Sequence, residues 1–213
     1  MPNWCSNSLR VLGDEDAMKK MLEEIPMFSL GAVIPMPEEL ASIVTGSHTI
    51  DSVKVNHWRW AAGSSVDVLQ SLNSEAIPIP PEEIEALREK YGAVDWYDWC
   101  ISRWGTKWDV EPVEWYHIGA GYETVFDTAW APPRGVIVAL SERYPVLRFE
   151  LSYSEAGGDF AGTDVWVAGV ELEDQAFDIR PSEHTKYESD GDNDTIDDVY
   201  QQFLTSHNLW IGG

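Results

Sequence analysis

The segment Val146–Tyr153 has the cleanest alternation of apolar and polar side chains in the chain, and this pattern restricts the fold more than any other. Successive side chains of a strand point to opposite faces of a sheet. One face therefore receives the apolar residues, which are Leu147, Phe149, Leu151 and Tyr153. The other face receives the polar residues, which are Arg148, Glu150 and Ser152. Such a strand is typical of an antiparallel sheet with one face buried and the other polar.

The other periodic segments predict the elements around this strand. In chain order they are a strand at Ser8–Leu12, a helix that follows Asp14, an insertion, strands at Trp108–Ile118 and Tyr122–Asp127, a helix opened by Pro132 and Pro133, the alternating strand, and a strand at Phe160–Leu172. Without the insertion, the order is strand, helix, strand, strand, helix, strand, with one added edge strand. This order predicts an α+β fold, a ferredoxin-like split βαβ antiparallel sheet with two helices on one face.

Prolines and glycines interrupt the chain between residues 36 and 104 and indicate an insertion. Its clearest helices are Glu82–Tyr91, which Gly92 ends, and Val94–Trp104, with a shared stripe of Val94, Tyr97, Ile101 and Trp104. The sequence thus predicts three parts. They are a ferredoxin-like core in residues 1–35 and 105–172, a mainly helical insertion in 36–104, and an acidic C-terminal segment with a short helix in 173–213.

The charge of the chain is strongly negative and uneven. The sequence has 14 Lys and Arg against 37 Asp and Glu, a net charge of −23. Residues 150–213 hold 15 of the acids and two bases, Arg180 and Lys186. This charge argues against direct binding of nucleic acid phosphates, and the lack of long apolar runs argues against a membrane span. With 2 cysteines and no apolar leader, we expect a cytoplasmic protein with reduced, buried thiols.

The surplus carboxylates just past the last predicted strand and near the C-terminus are the candidate partner-binding site. If they form one negative face, they can occupy a basic groove as a row of phosphates does. The expected partner is then a basic host protein or nucleoprotein complex, and a solvated surface that serves only solubility is the alternative. The candidate residues are Glu171, Glu173, Asp174, Asp178, Glu188, Asp190, Asp192, Asp194, Asp197 and Asp198.

The sequence contains no recognisable catalytic or metal-binding motif. The acidic run from Asp190 begins like a calcium loop, but its sixth and twelfth positions hold Thr195 and Gln201 instead of Gly and Glu. We therefore predict a protein that is not an enzyme, with no catalytic residue, no cofactor and no metal. An enzyme such as a metal-assisted hydrolase stays open as an alternative, with carboxylates from Asp109, Asp127 or Glu123.

Tryptophan is unusually frequent, with 11 residues, and six of them lie between Trp96 and Trp130. The spacing of most of these six suits packing in a core. Exposed anchors for a protein partner are the alternative, since Trp is enriched at binding hot spots. Stacking on single-stranded bases is a third possibility, but it lacks the basic groove that normally accompanies it.

Five segments are long enough and rich enough in rare residues to be compared with known families. They are residues 1–7 (MPNWCSN), 34–39 (IPMPEE), 104–109 (WGTKWD), 127–133 (DTAWAPP) and 153–162 (YSEAGGDFAG). Together they resemble the YubB-like family of phage and conjugative-plasmid proteins. The resemblance implies a ferredoxin-like domain, an accessory gene of a mobile element and action in bacterial cytoplasm. It implies no established activity, so no catalytic residue follows from it.

The charge and the resemblance together predict a function. The expected protein binds another protein and acts as an acidic, nucleic-acid-mimicking inhibitor of a host defence complex such as CRISPR or restriction. The metal-assisted enzyme and the acidic protein that is merely structural remain the alternatives.

Overall fold

The structure, a computed structural model, describes residues 3–50, 52–60, 76–155 and 160–178. It has two compact units, Met1–Ile34 with Gly105–Gly213, and Pro35–Trp104. The bounds of the second unit lie within one residue of the insertion predicted at 36–104. The predicted C-terminal helix lies outside the described residues.

Within the described ranges, fifteen helices and strands follow one another. They are β1 (Trp4–Gly13), α1 (Glu15–Glu24), α2 (Leu30–Val33), α3 (Glu38–Ala41), β2 (Ile43–Ile50), β3 (Val53–Trp60), β4 (Ala76–Pro78), α4 (Pro81–Tyr91), α5 (Trp96–Arg103), β5 (Tyr116–Ile118), β6 (Gly121–Ala129), α6 (Arg134–Arg143), β7 (Leu147–Glu155), β8 (Phe160–Val167) and β9 (Val170–Asp178).

The first unit is built on a six-stranded sheet with β1 near its centre. The strand order is β5-β6-β1-β7-β8-β9, and every neighbouring pair is antiparallel. Helix α1 contacts β1, and α6 contacts β7, β8 and β9. The predicted α+β class with an antiparallel sheet is confirmed.

The alternation of the seventh strand has the predicted effect on the core. Leu147, Phe149, Leu151 and Tyr153 are all buried. The neighbouring strand β1 matches them, because Leu9 lies opposite Leu151 and Val11 lies opposite Phe149. Both β1 residues are fully buried, so the core of this unit forms on this face of β1 and β7.

Both predicted helices of the first unit form where their signals place them. The Asp14 carboxylate accepts the Ala17 N–H at 2.9 Å and caps α1. Helix α6 begins directly after Pro133 and buries its predicted stripe. The stripe consists of Val136, Ile137, Leu140 and Tyr144.

The predicted strand Trp108–Ile118 was too long, since only its last three residues, β5, form a strand. The Asp109 carboxylate accepts the N–H groups of Leu30 and Gly31 at 2.7 and 3.0 Å and so anchors the earlier residues as a loop. Val113 pairs with Phe28 in an isolated bridge outside the main strands. Contacts with residues 28–31, about 80 positions earlier in the chain, therefore override the alternating pattern here.

The single strand predicted at Phe160–Leu172 is two strands, β8 and β9. Ala168 and Gly169 both have positive φ, 52° and 78°, and turn the chain so that Val167 pairs with Val170. Apolar residues continue across this turn, so the pattern did not show it. Strand β9 extends to Asp178. Four of the candidate acidic residues, expected just past the last strand, therefore lie within it: Glu171, Glu173, Asp174 and Asp178.

The second unit contains a three-stranded antiparallel sheet, β2-β3-β4, which the prediction of a mainly helical insertion missed. Strand β2 has few apolar residues, and its register with β3 shifts between Thr45 and His48. A bulged strand with a mostly exposed face lacks the periodicity that identifies strands in a sequence.

Helices α4 and α5 of this unit form as predicted, but the buried face of α5 differs in part from the predicted stripe. Gly92 ends α4 in the left-handed conformation at φ 73°. In α5, Tyr97 and Ile101 of the predicted stripe are exposed, while Trp99 and Cys100 are buried. Half of the predicted stripe is confirmed, since Val94 and Trp104 are buried, although Val94 precedes the first turn of the helix.

Across the described ranges, no helix combines the length and the hydropathy needed to cross a membrane.

We expect Leu151→Ala to lower the free energy of unfolding by roughly 2–5 kcal/mol, because it removes a fully buried side chain opposite Leu9. Urea unfolding followed by circular dichroism measures this change. Val146→Ala is the control, since Val146 is 65% exposed and its truncation should have little effect. Equal losses in the two variants would contradict the core described above.

Candidate acidic binding site

The part of the predicted acidic site that the structure describes lies on β9, an edge strand of the six-stranded sheet. Glu171, Glu173 and Asp174 are exposed there. Asp178 ends the strand, and its side chain is outside the description. The remaining predicted residues lie outside the described residues: Glu188, Asp190, Asp192, Asp194, Asp197 and Asp198.

The register of β9 divides these carboxylates between the two faces of the sheet. Asp174 lies opposite Asp164, and Glu171 lies opposite the buried Trp166. Glu173 pairs with Val165 and therefore points to the other face. A bulge between Val165 and Trp166 brings Glu171 and Asp174 to the same face despite their spacing of three.

A buried ion pair organises the carboxylates on the helix-facing side. Asp164 of β8 is fully buried, and its Oδ2 lies 2.7 Å from Nε of Arg134, the first residue of α6. Arg134 Nη2 donates to the Tyr153 hydroxyl at 2.7 Å and to Asp174 Oδ1 at 3.5 Å. The arginine thus joins α6 to β7, β8 and β9 through one side chain.

Burial and neighbouring carboxylates perturb the titration of this cluster. Burial raises the pKa of the Asp164 carboxyl to about 6; the Arg134 guanidinium opposes this rise, and Asp174 and Glu171 add to it. Burial also raises the pKa of the Tyr153 hydroxyl to about 12, with a further contribution from Asp164. Asp164 therefore changes charge closer to neutral pH than an ordinary aspartate does.

This cluster also has the composition of a cation site. Asp164, Glu171 and Asp174 each offer one carboxylate oxygen, and these oxygens lie within 4.8 Å of one another. Oxygen ligands of this kind suit Mg²⁺ or Ca²⁺. Arg134 already supplies a positive charge to Asp164 and Asp174, so these carboxylates have a cationic partner without a metal ion.

The opposite face carries a separate set of ion pairs. Arg148 Nε lies 2.6 Å from Glu150 Oε1, and its Nη2 lies 4.0 Å from Glu173 Oε1. Arg10 Nε contacts Glu123 Oε1 at 2.9 Å. The acidic residues of β9 therefore lie on two faces of the sheet. Arg134 contacts Asp174 on one face, and Arg148 contacts Glu173 on the other.

The carboxylates proposed for an enzyme do not converge. Asp109 binds the N–H groups at the start of α2, and Glu123 accepts from Ser8 and Arg10. Asp127 accepts from the Ser6 hydroxyl at 2.8 Å. Glu123 and Asp127 are four residues apart on β6, about 13 Å along the strand, too far to share a proton or an ion. Each of the three has a structural partner instead.

The two cysteines are free and buried, as the sequence predicts. Burial raises the pKa of the Cys5 thiol to about 12, so it is a thiol and not a nucleophilic thiolate at neutral pH.

Sequence reasoning missed the two residues at the centre of the cluster, Asp164 and Arg134. A signal for Asp164 was present, because it shares the face of Trp166 in an alternating strand and is a charged residue on a buried face. Buried carboxylates need a partner, and the partner comes from α6, thirty residues earlier. No local pattern identifies Arg134 for that role.

A family model matches the part of the chain that contains this site. Residues 103–198 match the family model described as the ferredoxin-like domain in Api92-like protein. This match agrees with the fold predicted from the sequence. It does not address the phage or plasmid origin that the YubB-like resemblance implies, and its description names no activity.

One solved structure is similar over most of the chain. The crystal structure of protein api92 from Yersinia pseudotuberculosis covers 85% of this chain and 100% of its own, at 13% identity and a TM-score of 0.45. No protein of the curated set matches the chain.

The pH dependence of stability should reflect Asp164. The folded protein binds a proton at this carboxyl near pH 6, whereas the unfolded chain does so only near pH 4. The contribution of Asp164 to the free energy of unfolding therefore rises as the pH falls below 6, by up to about 1.4 kcal/mol per pH unit. Urea unfolding at pH 7.5, 6 and 5 should show this rise in the wild type and a flatter dependence in Asp164→Asn. Parallel curves for the two chains would contradict the assignment.

Removal of Arg134 should be costly while Asp164 is charged. We expect Arg134→Met to lower the free energy of unfolding at pH 7.5 by roughly 2–3 kcal/mol, less than for a fully buried pair because the arginine side chain is 41% exposed. At pH 5 the loss should be smaller, because Asp164 then carries a proton. A loss of the same size at both pH values would show that Arg134 stabilises the unit by packing alone.

Proposed function

We propose that this chain is a non-enzymatic binding protein that presents an acidic edge to a basic protein. The acidic edge consists of Glu171, Glu173 and Asp174 of β9 with Asp164 of β8. The observation that carries the proposal is the excess of carboxylates at β9, the edge strand of the sheet among the described residues. Residues 150–178 contain eight Asp and Glu and neither Lys nor Arg.

The ion pairs at the edge neutralise only part of this charge. They bring two guanidinium groups, from Arg134 and Arg148, to four carboxylates, and Glu171 beside Asp164 and Asp174 completes a set of five. The set is Glu150, Asp164, Glu171, Glu173 and Asp174. Three negative charges are left over at neutral pH, and the exposed members lie where a cationic partner can reach them. Charge complementarity of this kind speeds association and selects the partner.

The position on an edge strand supports binding in a second way. An edge strand has one row of backbone N–H and C=O groups that no neighbouring strand occupies. A partner segment can add to that row as a further strand while its basic side chains meet the carboxylates. Charged residues on an edge also prevent aggregation, which is the alternative reading of the same residues.

We extend the proposal to the biological setting. If the YubB-like resemblance holds, the chain acts in the cytoplasm of a bacterial host of a mobile element. A basic partner in that setting is a host protein or nucleoprotein complex that normally binds nucleic acid. The chain would then inhibit a defence complex, such as CRISPR or restriction, by occupying its basic groove.

Charge reversal at the acidic edge tests the proposal. The full chain, immobilised, captures proteins from a bacterial lysate, and quantitative mass spectrometry compares the wild type with Glu171→Lys, Glu173→Lys and Asp174→Lys combined. We expect the wild type to retain basic, nucleic-acid-binding proteins and to release them as salt rises, because screening weakens exposed charges. The triple variant should retain at least about tenfold less of them.

A matched control separates the edge from overall charge. Glu23→Lys, Glu85→Lys and Glu89→Lys combined change the net charge equally but alter exposed positions on α1 and α4. This control should capture the same proteins as the wild type. Equal loss in both triple variants, or retention in both, would refute a specific acidic edge.

A further inference from the structure

Three tryptophans from distant parts of the sequence form an exposed row in the first unit. Trp4, Trp108 and Trp130 are 44%, 39% and 40% exposed. The ring centroids of Trp4 and Trp108 are 6.3 Å apart. The Lys107 ammonium lies 4.4 Å from the Trp108 ring centroid and 5.2 Å from that of Trp130. We call these three side chains and Lys107 the tryptophan row.

Buried hydrogen bonds hold the loops that carry the row. The Thr106 hydroxyl donates to the Ala129 carbonyl at 2.7 Å, and the Thr128 hydroxyl donates to the Ala131 carbonyl at 2.8 Å. Both threonines are buried. The backbone N–H of Trp130 donates to the Asn3 carbonyl at 2.9 Å, which ties the loop of Trp130 to the residue before β1. These hydrogen bonds fix the backbone of the two loops on which Trp108 and Trp130 lie.

The backbone at Trp130 is strained, yet its side chain faces outward. Its φ is 72°, in the left-handed region that bulky residues rarely adopt. A structural tryptophan in such a conformation should repay the strain with burial, but 40% of this one is exposed. Strained backbone of this kind concentrates at binding sites, where it sets the direction of a functional side chain.

The chemistry of the row favours a cation. Lys107 lies near the rings of Trp108 and Trp130 together, which is the arrangement of an aromatic cage around an ammonium group. An acidic side chain lies beside the row, since the exposed Asp127 pairs with Ser6 of β1, which shares the face of Trp4. A guanidinium stacks on tryptophan better than an ammonium does, because it is planar and less strongly hydrated.

We propose that the tryptophan row is a docking site for arginine side chains of a basic protein segment, and that Lys107 occupies the cage until an arginine replaces it. This inference rests on the proposed function for the basic character of the partner. It adds a second surface, away from the acidic edge, and names the side chain that this surface selects.

Binding of a fluorescein-labelled nona-arginine peptide to the full chain tests the row, by fluorescence anisotropy in 150 mM salt. Trp108→Leu and Trp130→Ala should each weaken binding by about 3- to 30-fold, the range of a lost cation–π contact. Lys107→Ala should tighten binding by about threefold or more, because it vacates the cage. Tyr116→Ala is the control, since this exposed aromatic of β5 lies outside the row, and it should bind as the wild type does.

Two further probes make the result decisive. A nona-citrulline peptide keeps the planar side-chain end without its charge and should bind far more weakly. Tighter binding by Lys107→Ala does not depend on the tryptophan variants, so the proposal stays testable if one of them fails to fold. Weaker binding by Lys107→Ala would overturn the proposal, and so would binding of an oligothymidylate that requires Trp108.

The peptide assay and the lysate capture together distinguish this inference from the proposed function. If charge reversal at the acidic edge abolishes lysate capture while the tryptophan variants bind nona-arginine normally, the row is refuted and the edge stands. If the tryptophan variants lose the peptide while reversal of the edge leaves lysate capture unchanged, the edge is refuted and the row stands.

Discussion

Strand β1 forms ladders along both of its edges, with β6 on one side and β7 on the other, and the six-stranded sheet depends on this double pairing. A strand paired on both sides cannot slip by one residue without turning every side chain to the wrong face. Leu9 and Val11 are fully buried, so a slip would expose them. The register of β1 therefore fixes the positions of its neighbours and, through β7 and β8, of the acidic residues of β9.

That fixed register explains why a charged residue is buried at Asp164. The position opposite Leu151 in the ladder belongs to the covered face, and β8 places an aspartate there. An isolated carboxylate at such a place would cost several kcal/mol, or it would be neutral. Arg134 reaches it from the first turn of α6 and keeps much of its own side chain in water. The pair connects the helix to the end of the sheet where the acidic edge begins.

The sequence predicted the elements whose periodicity is strong and local. Strand β7, helix α1 and helix α6 have clean apolar spacing, and their buried faces follow from it. Strand β2 was missed because its apolar and polar residues do not alternate. The turn at Ala168 was missed because apolar residues continue across it. The acidic site was predicted by composition, but its division between two faces follows from a bulge that no composition shows. Spacing predicted core packing for most of the six tryptophans between Trp96 and Trp130; Trp99 and Trp104 are buried, whereas Trp108 and Trp130 are exposed.

The ladder also relates the two proposed surfaces of the first unit. Glu173 points to the same face of the sheet as Trp4. It is level with Arg10 of β1 through Val165 and Glu150, three strand spacings across the sheet, or about 14 Å. Trp4 lies six residues further along β1, about 20 Å. The separation is then about 25 Å, which an extended segment of about eight residues spans. One basic segment of that length can place an arginine in the tryptophan row and meet Glu173 of the acidic edge on the same face. Two weak contacts joined in this way bind much more tightly than either does alone.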